Sequence, residues 1–193
     1  PPEPQPEPPP PPPPEEPEAP PDESSIDFEI GPLLWVGAVS TSQNLPVAGG
    51  VGGRFRFGGS VAVSVGGAGL LPAHLQYGEA DVEAIWTPFD VSLRLSSRLD
   101  EWELAAELGP LAAWVSIAGQ GVLDARAATR LEVGGRGGVS VRYWASPNIA
   151  LFAAGHAVVF PRPYHLELAG FGEVGQTPTL WVGTTVGAVI DLD

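Results

Sequence analysis

Three histidines, His74, His156 and His165, and no cysteine make up the chain's stock of soft metal ligands and thiols. A structural or catalytic zinc centre needs three or four such ligands at set spacing, and no His-x-His or HExxH arrangement is present, so no metal is expected. The absence of Cys removes disulfides and thiol catalysis and is compatible with an oxidising compartment. Glu103 and Glu107 lie four residues apart and could work as an acid/base pair only if a substrate reached them. Glycine clusters at 49–53, 66–69 and 134–138 do not follow GxGxxG and precede no helical pattern, which argues against a phosphate cradle. No catalytic residue and no cofactor is expected.

The chemistry left to the charged residues is neutralisation of one another. All nine basic residues are Arg, whose planar fork matches a carboxylate better than Lys does. Many of them recur at every second position opposite an apolar set. In 128–144, Leu131, Val133, Val139, Val141 and Tyr143 fall on one face and Arg130, Glu132, Arg136, Ser140 and Arg142 on the other, the period of a β-strand. The run 179–192 repeats it, with Leu180, Val182, Val186, Ala188, Ile190 and Leu192 against Trp181, Thr185, Gly187 and Asp191. Ile26, Phe28 and Ile30 alternate with Asp27 and Glu29, and Phe55 and Phe57 with Arg54 and Arg56. The best helical candidate, 101–108, alternates as well.

Turn residues cut the body into strands expected near 25–39, 47–57, 60–72, 80–95, 101–118, 128–144, 148–166 and 178–192. Connectors at Gly58-Gly59, Ser96–Asp100 and Ser146-Pro147-Asn148 are short. Those at 40–46, 73–79, 119–127 and 167–177 are longer. An even strand count with short turns at one rim and long loops at the other is the plan of a transmembrane barrel. At Gly109-Pro110 the apolar parity changes, which leaves open a bulge within one strand or a hairpin that would raise the count from eight to ten.

Composition divides the chain in two. Residues 1–24 hold 14 of the 23 prolines, seven acidic residues and no basic one, whereas all 25 glycines come later. The first part is expected to be a disordered, extended proline-rich spacer, and 25–193 a single domain of about 169 residues. With 16 acidic residues against 9 basic ones in the body, nucleic acid is not an expected partner. No run approaches the ~18 to 20 consecutive apolar residues of a membrane helix. The chain has no initiator Met, as expected of a processed or trimmed product.

The segments GRFRFGGSVAVSVGGAGLLPA (53–73), LGPLAAWVSIAGQGVL (108–123), IALFAAGHAVVFPRPYHLEL (149–168) and TLWVGTTVGAVIDL (179–192) resemble the small bacterial outer-membrane β-barrel domains, of the general architecture of the outer-membrane protein A transmembrane domain. The resemblance covers about 25–193. It implies an all-β fold, a closed antiparallel up-and-down barrel inserted by the barrel-assembly machinery, with both termini periplasmic. Barrels of this kind commonly end on an aromatic residue, whereas this chain ends Ile190-Asp191-Leu192-Asp193.

In lipid every backbone N–H and C=O must be bonded within the protein, so the sheet has to close, and an eight-stranded barrel is just wide enough for its own side chains. The expected lumen network is Asp27, Glu29, Arg54, Arg56, Arg94, Glu103, Glu107, Arg130, Glu132, Arg136, Arg142 and Asp191, with Asp27 and Glu29 beside Arg54 and Arg56. Trp35, Trp86, Trp102, Trp114, Trp144 and Trp181, with Tyr77, Tyr143 and Tyr164, are candidates for interfacial belts. The functional expectation is a monomeric, non-enzymatic outer-membrane barrel with a filled lumen, in contact with membrane lipid and serving a structural or surface-interaction role. A soluble secreted barrel with an apolar, ligand-binding interior and polar outer faces is the alternative. A lipid-modifying barrel enzyme would carry a Ser two residues from its His, and Val158 stands there after His156.

Overall fold

The computed structural model describes residues 25–38, 44–77, 80–120, 128–168 and 172–192; the proline-rich stretch 1–24 lies outside them. Eleven strands are found among these residues: β1 (Ser25–Ala38), β2 (Val47–Gly58), β3 (Val61–Leu70), β4 (Ala73–Tyr77), β5 (Ala80–Leu99), β6 (Trp102–Gln120), β7 (Ala128–Ser146), β8 (Ile149–Val159), β9 (His165–Leu168), β10 (Gly172–Gln176) and β11 (Leu180–Asp191). Antiparallel pairing runs β3-β2-β1-β11-β8-β7-β6-β5-β4, and β3 also pairs with β5, which closes the ring. Since β3 and β4 lie end to end along β5, the wall is a closed barrel of eight staves.

Following the ladder partners outward from Ile26 gives Phe57, Val63, Leu93, Leu108, Gly137, Ala157, Val182 and finally Val36. One circuit therefore returns to β1 ten residues from its start. That stagger tilts the staves and sets the radius, leaving an interior that side chains can fill. Apart from Gly137, every residue on the circuit is apolar, which gives the barrel a greasy outer wall. Ile30, Val51, Phe55, Val63, Leu93 and Leu151 are exposed to between 43% and 58%.

Gly109-Pro110 is neither a bulge nor a hairpin. The β5–β6 register is the same on both sides of it, Asp90 facing Leu111 and Leu93 facing Leu108, and β6 runs through it unbroken. Trp102, Leu104, Leu108 and Trp114 stay exposed along the whole stave while Glu103, Ala105, Leu111, Ala113 and Val115 stay buried. Side-chain direction does not change there; the chemistry of the lumen does, from charged to apolar. An apolar residue facing inward mimics a parity change in the sequence.

The same device recurs on β1, four staves away around the ring. Glu29-Ile30-Gly31-Pro32-Leu33 matches Glu107-Leu108-Gly109-Pro110-Leu111, and in each the Gly-Pro pair interrupts the ladder to one neighbour without shifting register, β11 in the first case and β5 in the second. Proline has no N–H to offer the ladder. A Cβ on Gly109 would run into the carbonyl oxygen of Val91, so the two backbones approach there as only glycine allows.

Four expected boundaries change. The connector expected at Ser96–Asp100 shrinks to a turn at Asp100-Glu101, because β5 stays paired with β6 up to Leu99. Segment 73–79 is not a loop throughout, because Ala73–Tyr77 is strand β4. Leu70 and Ala73 both point inward, so Leu71-Pro72 carries one extra residue and flips the alternation, as a bulge does. The strand expected over 148–166 stops at Val159, since Pro161 and Pro163 cannot continue the ladder. The connector expected over 167–177 contains β10, which pairs with β9 as a two-stranded sheet of its own. At the short-turn rim, Gly58 takes φ of 126° and Asp100 φ of 54°. Glycine adopts such values freely and Asp tolerates the second.

Candidate functional site

The lumen is the only place where the described residues concentrate polar chemistry, and it is layered. Five arginines and five carboxylates form its charged layer: Arg54, Arg56, Arg94, Arg136 and Arg142 with Asp27, Glu29, Asp90, Glu103 and Glu107. Arg54 grips Asp90 through two bonds of 2.7 and 2.8 Å and also bonds Glu107. Arg56 pairs with Asp27 and, at 2.9 Å, with Glu103. Arg94 reaches Glu107 at 2.7 Å, Glu103 at 3.1 Å and Glu29 at 3.4 Å. Arg136 donates to Glu107 at 2.8 Å. Arg142 donates to Asp27 at 3.0 Å and to Glu29.

None of these ten side chains exceeds 11% exposure. Buried charge is tolerable only when each ion has partners of opposite sign; equal numbers meet that condition, although Asp27 Oδ1 and the Nε atoms of Arg56, Arg94 and Arg142 have no hydrogen-bond partner. Guanidiniums suit the task because each can bridge two or three carboxylates across a narrow barrel.

The register sets Asp27 opposite Arg56 and Glu29 opposite Arg54. The side chains use only half of that pairing: Asp27 does meet Arg56, but Arg54 turns to Asp90 and Glu107, and Glu29 to Arg142 and Arg94. Long side chains reach across the lumen to other staves instead of pairing with the nearest one. Three expected members stand apart. Arg130 is exposed, with its guanidinium 5.1 Å from the Tyr164 ring centre, because the end of β7 projects beyond the wall. Asp191 is half-exposed at the rim beside the chain's last ladder bonds. Glu132 is buried but belongs to another layer. Sequence reasoning missed Asp90; its signal was parity, since Asp90 and Arg94 are four residues apart on one strand and share the inward face.

Beyond Gly31 and Gly109 the lumen turns apolar. Trp35, Leu75, Trp86, Val115, Phe160 and Trp181 lead one cluster, in which Trp86 and Trp181 meet edge-on at 4.9 Å. Glu132 sits in this layer without an arginine. It accepts from the Trp86 indole at 3.3 Å and from the Thr177 hydroxyl at 2.9 Å. Thr177 Oγ1 accepts from the Tyr164 amide, and the Thr177 amide donates to Tyr164 O. Tyr164 in turn donates its hydroxyl to Leu131 O. These bonds fasten the segment after β8 and the segment before β11 over the long-loop mouth. Toward the short-turn end Trp144, Ala150, Phe152 and Val189 form a smaller buried cluster. There the Trp144 indole donates to Glu103 at 3.2 Å, and Arg98 lies 5.0 Å from the Trp144 ring.

Four of the six tryptophans are therefore not belt residues. Trp35, Trp86, Trp144 and Trp181 are at most 5% exposed and point into the lumen. The side chain of Tyr77 lies outside those described. The outward aromatics form three pairs, Trp102 with Tyr143 at 5.0 Å, Trp114 with Phe89 at 4.9 Å and Phe28 with Phe55 at 4.7 Å. Trp102 and Trp114 are both on β6. Twelve residues at about 3.3 Å each, along a strand tilted by about 40°, place them about 30 Å apart along the barrel axis.

His156 is buried in the lumen, 5.7 Å from the Trp35 ring centre, and neither ring nitrogen has a hydrogen-bond partner. His156 bonds neither a serine nor a carboxylate, and it lines the lumen interior together with Ser140 and Glu107, whereas a lipid-modifying enzyme of the expected kind needs a bonded His–Ser–carboxylate cluster at one rim. Nor is the outer surface polar around an apolar core, the pattern a soluble ligand-binding barrel requires.

No protein-family model matches the sequence, and no curated protein matches it. Solved structures do. Ail, the attachment invasion locus protein of Yersinia pestis, is similar with a TM-score of 0.56 and 14% identity, over 88% of this chain and 99% of that one. Neisserial surface protein A gives 0.55 and 10%, over 86% and 97%. The outer membrane protein OprG from Pseudomonas aeruginosa gives 0.52 and 12%, over 89% and 97%. At such identities the likeness is one of fold: the chain is a closed eight-stranded antiparallel β-barrel on the plan of these small outer-membrane barrels.

Proposed function

We propose that the chain is an integral outer-membrane barrel, non-enzymatic and non-conducting, with a structural or surface-interaction role. The observation that carries this reading is the pairing of an apolar outer wall with a charge-balanced lumen of buried side chains. Trp102 and Trp114 on β6, each in an outward aromatic pair, are separated by about 30 Å, which matches the thickness of a bilayer's hydrocarbon core. A closed sheet is what that setting demands of β-structure. Both Ser25 and Asp191 lie at the short-turn rim, where Asp27 faces Asp191, and in this reading that rim and both termini are periplasmic. Membrane lipid is the standing partner, and the barrel-assembly machinery acts during insertion. The names of Ail and of Neisserial surface protein A, an attachment protein and a surface protein, favour a role at the exposed long-loop rim over transport.

The test is membrane fractionation combined with planar-bilayer recording. The protein should resist alkaline washing, leave the membrane only in detergent, and give no stepwise conductance after reconstitution. Recovery in the soluble fraction contradicts the membrane reading, and steady open-channel steps contradict the filled lumen.

A further inference from the structure

Between the charged and the aromatic layers lies a small cavity of about 70 Å³, at the level of the two Gly-Pro pairs. Its charged wall is Glu29 from β1, Arg54 from β2, Asp90 from β5, Glu107 from β6 and Arg136 from β7. Its other wall includes Leu33, Leu111 and Phe152, with Trp35, Ser140 and His156 between. Four polar atoms of three residues lining it have no protein partner: both nitrogens of His156, the indole N–H of Trp35 and the hydroxyl of Ser140. His156 is 6% exposed and Trp35 3%. The neighbouring indoles differ. Those of Trp86 and Trp144 each donate to a carboxylate, and Trp181, which also lacks a partner, does not line the cavity.

A buried donor or acceptor left unpaired costs about 1–3 kcal/mol, and one pocket gathers three such residues beside five acidic and basic ones. An apolar cavity of that size stays dry, whereas a polar one with several partners per molecule binds water. We infer that this cavity is a built water-binding site, holding about two to four water molecules that link His156, Trp35 and Ser140 to the charged layer. The inference concerns the lumen alone and stands whether or not the barrel resides in a membrane. It gives the barrel a hydrated waist with exchangeable protons.

The test is NMR of the full chain in detergent micelles, reading cross-relaxation from water to the four lumenal indole N–H groups. Water cross-peaks and faster hydrogen exchange are expected at Trp35 and not at Trp86, Trp144 or Trp181. A second measurement compares His156→Leu with His156→Asn. If water bridges the imidazole, the leucine variant unfolds several degrees lower than wild type and the asparagine variant recovers part of the loss. If the cavity is dry, leucine removes two unpaired nitrogens and raises the midpoint. Silent Trp35 cross-peaks, or a stabilised leucine variant, overturn the inference.

Discussion

Arg142 on β7 and Asp27 on β1, 115 residues apart in sequence, meet at 3.0 Å across the lumen, and both side chains are fully buried. That bond spans two staves that share no ladder, so it ties the barrel across its interior and not along its wall. Arg142 also faces Glu29 and Glu103. Replacing Arg142 by Met leaves three carboxylates short of a cation and should destabilise the barrel by about 3–5 kcal/mol. Combining it with Asp27→Asn should recover part of that loss. Urea unfolding followed by tryptophan fluorescence measures both, and an additive double variant contradicts the cross-lumen bond.

Gly109 tests the close approach of β6 to β5. In Gly109→Ala the new methyl meets the carbonyl of Val91, a backbone atom that cannot swing aside, whereas Gly155 has open space where a Cβ would go. Gly109→Ala should lower the yield of folded barrel and its unfolding midpoint, while Gly155→Ala stays within about 0.5 kcal/mol of wild type. Refolding yield into detergent gives the comparison, and equal behaviour of the two variants contradicts the geometry.

The outer wall makes a depth-dependent prediction. Leu108 lies midway between Trp102 and Trp114 on β6, and Leu99 stands at the short-turn rim, 76% exposed. In phospholipid vesicles Leu108→Arg should cost about 2–4 kcal/mol and Leu99→Arg about 0–1. Equal costs at the two depths would mean that lipid does not surround this belt.

Glu132 holds the long-loop mouth through Thr177 and Trp86. Glu132→Leu leaves a buried hydroxyl and an indole N–H without an acceptor, at about 1–3 kcal/mol each. Glu132→Gln keeps one carbonyl acceptor and should fall between that variant and wild type. Limited proteolysis of the 160–179 region reads the fastening directly, and cleavage should accelerate in the leucine variant first.

Much of the barrel was legible from period two alone, because in a two-faced wall the alternation follows from geometry. Ile26, Phe28 and Ile30 against Asp27 and Glu29 gave the facing of β1 correctly. The reading broke down where the lumen itself turns apolar. Inward Trp35, Trp86 and Trp181 carry the same hydrophobic signature as an outward belt, and Leu111 and Val115 imitate a change of strand at Gly109-Pro110. Within the charged layer, parity pointed inward for every arginine that contributes, yet partner choice stayed hidden. It depends on which staves the closed ring brings face to face, as Arg54 shows by leaving Glu29 for Asp90. Arg130 and Asp191 kept inward parity but lie at strand ends, where the wall no longer encloses a side chain.

The most direct measurement is gel migration of the membrane-extracted protein, unheated against boiled. A closed, lipid-embedded barrel stays folded in cold detergent and should run ahead of its boiled form, with the Arg142→Met variant converting to the slow form at a lower temperature. A single band at one position with and without heating, from protein already found in the soluble fraction, would contradict the account.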